Sequence, residues 1–301
     1  MQPVLDLYDQ VCIVTSDDAN FNSAVWLDQI TGGKGYSLAT LQKELKTGES
    51  SCVGFRHELE IEFIDPASVD TIRGWIAAGS SLKAYAYGPG GSVLWMAPTD
   101  ALISDGVDSG DGKPAIFTIK FVKTGFNLDI RHGKNLLFPT LSNGSSVARF
   151  YTPTNGTISS TTKNGSFPLG VNPVLKLVQS SPGLSYAHTA GSAGGFNIPV
   201  KNGMVFSVYG NTYLYNQTSS FNRKMGLRCF DGTSAFTESL EVTDSNAGAR
   251  TLLGQITVAN ANTKFAGLTL VVNNSGGSAT CEFDNLMLVY GNENLAQFTE
   301  A

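Results

Sequence analysis

His57-Glu58-Leu59-Glu60-Ile61-Glu62-Phe63-Ile64 alternates polar and apolar residues along its whole length. Successive side chains of a β-strand point to opposite faces, so this pattern describes a strand with one wet and one buried side. Glu58, Glu60 and Glu62 share the wet side, and Leu59, Ile61 and Phe63 the buried one. Asp65-Pro66 stops the strand and opens a helix, because aspartate accepts from the orphan amides of a first turn and proline at N1 forfeits no hydrogen bond. Val69, Ile72, Trp75 and Ile76 then recur at helical spacing as far as Gly79. Residues 82–87 and 92–96 flank Gly88-Pro89-Gly90-Gly91 and read as a hairpin. Residues 116–123 alternate again and form a closing strand. Residues 100–113 and Gly32-Gly33-Lys34-Gly35 read as loop, and residues 36–45 fit a helix.

The length of 301 residues suits two domains of ordinary size. Charged residues make up only 15% of the chain, and turn formers are abundant, which favours β architecture over helices with ionic faces. Up to residue 132 there are 10 basic and 17 acidic residues; after it there are 10 and 8, so the net −5 arises in the first half. With no Lys/Arg cluster, the chain lacks the electrostatic footprint of a sequence-reading nucleic-acid binder. DNA could still pass it without being held. Cys12, Cys52, Cys229 and Cys281 have no C-x-x-C spacing and read as buried free thiols rather than zinc ligands. The start has no basic segment followed by a long apolar run, and nowhere do eighteen apolar residues adjoin, so neither a signal peptide nor membrane insertion is expected.

Near residues 125–131 the composition shifts toward Asn, Ser, Thr and Gly, which sets the expected domains at 1–132 and 133–301. In the second, residues 174–178, 204–209, 225–230, 252–258, 265–272 and 281–288 read as strands spaced as in an antiparallel sandwich. Five N-x-S/T sequons, at Asn143, Asn155, Asn164, Asn216 and Asn273, read as Asn-rich turns.

Gly133-Lys134-Asn135-Leu136-Leu137, Asn143-Gly144 and the closing Cys281-Glu282-Phe283-Asp284-Asn285-Leu286-Met287-Leu288-Val289-Tyr290-Gly291 resemble the two ends of carbohydrate-binding-module β-sandwiches of the family 4/9 type. The resemblance implies a jelly-roll fold. Sugar-binding members use exposed Trp or Tyr platforms; after residue 95 there is no Trp here, which leaves Tyr186, Tyr209, Tyr213 and Tyr215 as substitutes. Tyr213-Leu214-Tyr215 places two rings on one face. Asp284 and Asn285 are oxygen donors of a kind that suits Ca²⁺, but turn capping or strand pairing is the expected role.

The strand at 57–64, the helix after Asp65-Pro66 and the hairpin at 82–96 are similar in pattern to the tail-tube (major tail) proteins of long-tailed bacteriophages. That resemblance implies a small β-sandwich or barrel with one helix, assembling as homohexameric rings. If Glu58, Glu60 and Glu62 face a lumen, their charge repels DNA phosphate; an ordinary solvated sheet face explains the same alternation.

Chemistry-bearing motifs are absent. His57, His132 and His188 adjoin no nucleophile motif, no H-E-x-x-H or G-x-S-x-G occurs, and the Gly-Pro-Gly-Gly turn lacks the Lys-Ser/Thr of a phosphate loop. Asp105, Asp108 and Asp111 are spaced unlike a Ca²⁺ loop. The expectation is a mainly β, non-enzymatic protein without cofactor or metal. Its first expected role is that of a phage tail-tube subunit: made in the host cytoplasm, residing in the virion, stacking with itself and other tail proteins, conducting DNA, and displaying the sandwich outward. A carbohydrate-binding adhesin contacting host glycan through Tyr209, Tyr213 and Tyr215, and a capsid-decorating or tail-tip protein, remain as alternatives.

Overall fold

A computed structural model of the chain describes residues 8–27, 29–44, 46, 49–103, 114–125, 130–133, 135–137, 151–171, 173–189, 197–217 and 220–293. The carboxylates at 105, 108 and 111, Lys134, and the Asn143-Gly144 turn lie outside these residues. The chain divides into two compact units, Met1–Lys134 and Asn135–Ala301. The fold is mainly β, with antiparallel sheets and, among the described residues, one α-helix.

The first unit contains β1 (Gln10–Thr15), β2 (Val25–Leu27), β3 (Ile30–Glu44), β4 (Ser50–Phe63), α1 (Pro66–Ala77), β5 (Leu82–Tyr87), β6 (Val93–Ile103), β7 (Phe117–Gly125) and β8 (Ile130–Gly133). They form one sheet in the order β2-β1-β5-β6-β7-β4-β3, with β8 also on β6. Strand β6 turns the sheet: its first part pairs with β5 and β8, and its last part, residues 100–103, with β7. The alternation at 57–64 is realised in β4, where Leu59, Ile61 and Phe63 are buried and the three glutamates are half-buried. Asp65 caps α1, accepting from the Ala67 amide at 3.1 Å, and Pro66 stands at its start. The helix turns Val69 and Ile72 onto a core that includes Leu27, Leu59, Phe63, Leu94 and Phe121.

Residues 36–45 are not helical. They belong to β3, which pairs with β4 from Ile30↔Phe63 to Glu44↔Ser50. Nor is Gly32-Gly33-Lys34-Gly35 a free loop: it lies inside β3, where register shifts flank Gly32 and precede Gly35, so the glycines bulge within a paired strand. Residues 100–103, expected as loop, end β6.

The second unit contains β9 (Thr152–Thr154), β10 (Gly156–Thr161), β11 (Val174–Gln179), β12 (Gly183–His188), β13 (Ile198–Pro199), β14 (Val205–Tyr215), β15 (Phe221–Phe230), β16 (Phe236–Asp244), β17 (Gly248–Thr257), β18 (Phe265–Asn274) and β19 (Ala279–Tyr290). A five-stranded sheet, β10-β11-β19-β14-β17, faces a second sheet, β16-β15-β18-β12-β9, to which β13 adds on β18. This is a jelly-roll-type sandwich. Phe206, Val208, Leu214, Phe283 and Leu288 from one sheet and Met225, Leu227, Leu268 and Leu270 from the other are buried. The sheets approach so closely at Gly210 that a Cβ there would lie 2.8–2.9 Å from Leu286 and Met225 side chains. Asn135 ties the start of the unit to its last strand: its Oδ1 accepts from Leu288 N at 3.1 Å, and its Nδ2 donates to Leu286 O at 3.2 Å.

Candidate functional site

Four strands of the sheet β16-β15-β18-β12-β9 carry an aromatic and cationic surface. In β15, Met225, Leu227 and Cys229 point into the core, so the alternate residues Lys224, Gly226, Arg228 and Phe230 point away from it. Cross-strand partners share a face. Tyr186 and His188 of β12 therefore join them through β18, in the rows Tyr186–Val271–Lys224 and His188–Thr269–Gly226. Phe236 opens β16 opposite Phe230, across a bulge that follows Cys229. The turn before it is fixed by Asp231, whose Oδ1 accepts from the amides of Thr233 and Ala235 at 2.8 Å.

The Arg228 guanidinium carbon lies 4.3 Å from the Tyr186 ring centre and 4.4 Å from that of Phe236, with Phe230 at 5.9 Å. Rings continue the surface: Tyr186 stacks on His188 at 5.8 Å, and His188 is 5.9 Å from Phe230. Phe230 in turn stacks on Phe265 at 5.4 Å. Phe236 is 50% exposed, and Leu184, on the same face of β12 as Tyr186 and His188, is 46% exposed. The face also holds buried polar atoms with no hydrogen-bond partner: Arg228 Nε, Thr269 Oγ1 and Asn222 Oδ1. Such atoms are rare in native proteins and call for a partner from outside the chain or a stated cost. Lys224 is differently placed, paired with Glu241 at 3.1 Å.

Of the tyrosines expected to bind glycan, Tyr186 lies on this sheet, and Tyr209, Tyr213 and Tyr215 sit on the outer face of the other. Tyr209 is buried, packed with Val289 and Met287, and its hydroxyl donates to Asn211 Oδ1 at 3.3 Å. Tyr213 and Tyr215 do lie on one face and stack at 5.0 Å. Tyr213 also stacks on Phe167 at 5.8 Å, and the Tyr215 hydroxyl donates to Glu282 Oε1 at 2.9 Å. Burial and the neighbouring Glu282 carboxylate push the Tyr215 phenol far above its ordinary range. The segment around Phe167 is fastened over these rings. Asn164 N donates to Glu282 Oε2 (2.8 Å), Val171 N to Asp284 Oδ2 (2.5 Å), and Asn211 Nδ2 to Leu169 O (3.1 Å). Asp284 thus anchors a loop, and its burial raises its pKa.

In the first unit, Glu58, Glu60 and Glu62 share the outer face of β4, with cations interspersed. Glu58 pairs with Arg56 at 2.5 Å and with Lys120 at 2.7 Å, and Glu60 with Lys34 at 3.3 Å. The hydrogen bond from Lys120 and the Arg56 charge hold the Glu58 carboxyl below its usual range. Lys120 is thus paired within its own chain.

No family model matches the chain, and no curated protein does. Solved structures that resemble part of the chain include carbohydrate-binding modules. The CBM22-1 xylan-binding domain of Paenibacillus barcinonensis Xyn10C is 11% identical, with 51% of this chain and 93% of that one covered and a TM-score of 0.36. TmCBM61, solved in complex with β-1,4-galactotriose, is 10% identical, with 53% and 100% covered and a TM-score of 0.36. The enzymatically active domain of bacteriophage CBA120 tailspike protein 4 is also 10% identical, with 52% of this chain but only 21% of that one covered and a TM-score of 0.36. At these scores the function has to be read from this chain's own side chains.

Proposed function

We propose that the second unit is a glycan-recognition module and that the chain is a non-enzymatic binding protein of the adhesin class. The observation that supports this reading is the outer face of β12, β15, β16 and β18. Rings at Tyr186, His188, Phe230 and Phe236 line a sheet surface that holds the Arg228 guanidinium among them, and beneath it Arg228 Nε, Thr269 Oγ1 and Asn222 Oδ1 are buried without hydrogen-bond partners. A sugar ring has the matching chemistry, with a C–H face that lies on an aromatic ring and hydroxyls that satisfy polar atoms at its margin. The test is binding of the full-length protein to a glycan array, repeated with Phe236→Ala and Tyr186→Ala. Binding that falls about tenfold or more in both variants is expected. Signal unchanged by both, or no signal from the parent protein, overturns the reading.

A second reading, assembly of the first unit into homohexameric tail-tube rings, is favoured by the β3–β4 hairpin. Strand β3 is 15 residues long and lies at the free edge of its sheet. Leu38 and Val53 on this hairpin are 56% and 48% exposed. Long edges with exposed apolar residues template pairing with another chain. Electron microscopy of the purified protein decides: rings or tubes support the virion reading, and monomers at every concentration and salt remove it.

A further inference from the structure

On the premise that the Arg228 face binds a glycan, we propose that its ligand is an acidic glycan, one whose hexuronate carboxylate is gripped by the in-plane donors of Arg228. The guanidinium is held between two rings, over Tyr186 at 4.3 Å and Phe236 at 4.4 Å. Stacking occupies the faces of this planar cation and leaves its N–H groups directed along its edges. Those donors meet no carboxylate: among the described residues Arg228 forms no ion pair, and its Nε is buried without an acceptor. The nearest cation in the row pattern, Lys224, is already neutralised by Glu241, which also accepts from Ser239 Oγ at 2.5 Å. One positive charge on this face is therefore uncompensated.

A neutral sugar would offer Arg228 only hydroxyl oxygens. A carboxylate offers two acceptors in one plane, matching the fork of the guanidinium in a bidentate, charge-assisted pair. Thr269 Oγ1 and Asn222 Oδ1 lie on the same face, the first fully buried and both unpartnered. The second half of the chain, with 10 basic and 8 acidic residues, does not repel an anionic polymer as the first half, with 10 and 17, would.

The experiment uses the full-length protein and isothermal titration at low salt against oligogalacturonate, its methyl ester and neutral xylohexaose, with Arg228→Gln and Arg228→Lys as variants. The expected result is that oligogalacturonate binds, that esterification weakens it about tenfold or more, and that Arg228→Gln removes this difference. Arg228→Lys should restore only part of it, because lysine keeps the charge but not the fork. Thermal melting of both variants checks that the sandwich stays folded. If xylohexaose or the methyl ester binds as tightly as the acid, the acidic-glycan inference falls while the glycan reading stands. If none of the three binds and the array is also blank, both fall. If the acid binds and Arg228→Gln has no effect, Arg228 is not the anion site and the inference is wrong.

Discussion

Arg223 is wholly enclosed in the second unit, yet each nitrogen of its guanidinium has an acceptor. Nε and Nη2 donate to Asp244 Oδ2 at 3.0 and 2.5 Å, Nη1 to Gly248 O at 2.6 Å, and Nη2 to Asn246 O at 3.0 Å. Removing it strands a carboxylate and two carbonyls, so Arg223→Ala should cost about 3 kcal/mol, measured by urea unfolding. Burial works to raise the Asp244 pKa, but hydrogen bonds from Arg223 and Asn246 outweigh it and hold the pKa below the ordinary carboxylate value. A depressed folded pKa contributes stability that is present above the unfolded value of about 4 and is lost as pH falls through the folded one. Unfolding followed from pH 6 downward should therefore show a loss below about pH 4 that Asp244→Asn reduces. Among the cysteines, Cys12, Cys229 and Cys281 are buried and Cys52 is exposed, which corrects the expectation of four buried thiols. Burial pushes the Cys229 and Cys281 thiols up to about 12. A thiol reagent at pH 8 should modify one cysteine in the native protein and all four after denaturation.

Strand pairing decides what the elements do. Gly226 sits where β15 and β16 come so close that a Cβ would fall 1.9 Å from Leu240 O. Gly226→Ala should thus push apart the two strands that carry Arg228 and Phe236, costing about 1–3 kcal/mol in urea unfolding and abolishing glycan binding on the array. Elements with one buried face were legible in the sequence: β4 from its alternation, α1 from its cap and spacing, and β14, β15, β18 and β19 from short apolar runs. Strand β3 was not, because residues 37–40 and 42–44 are exposed and an exposed segment carries no burial period; its conformation comes from the ladder with β4. The candidate site was legible only in fragments. Tyr186 was recognisable as a spare aromatic, and the alternation in Tyr186-Ala187-His188 and in Arg228-Cys229-Phe230 puts each outer pair on one face. That β18 lies between those two strands is a matter of sheet order.

At the scale of the whole molecule, each unit encloses its own core, so calorimetry of the full chain should resolve two transitions. Ile72→Ala, which empties a fully buried position beneath α1, should lower one of them with a cost of about 2–5 kcal/mol. Arg223→Ala should lower the other and leave the first in place. What the sequence by itself determined was the β character of the chain, the wet and dry sides of β4 and the start of α1. These follow from side-chain periodicity and local capping, which act between near neighbours. Only the tertiary structure decided which tyrosines remain open. It put Tyr209 under Met287 and Val289 and laid Phe167 on Tyr213, while strands far apart in sequence set Arg228 between Tyr186 and Phe236. The physical reason is that an aromatic residue reads alike in sequence whether it packs or binds. Strand order and the loops fastened across a sheet determine which face of its ring meets water.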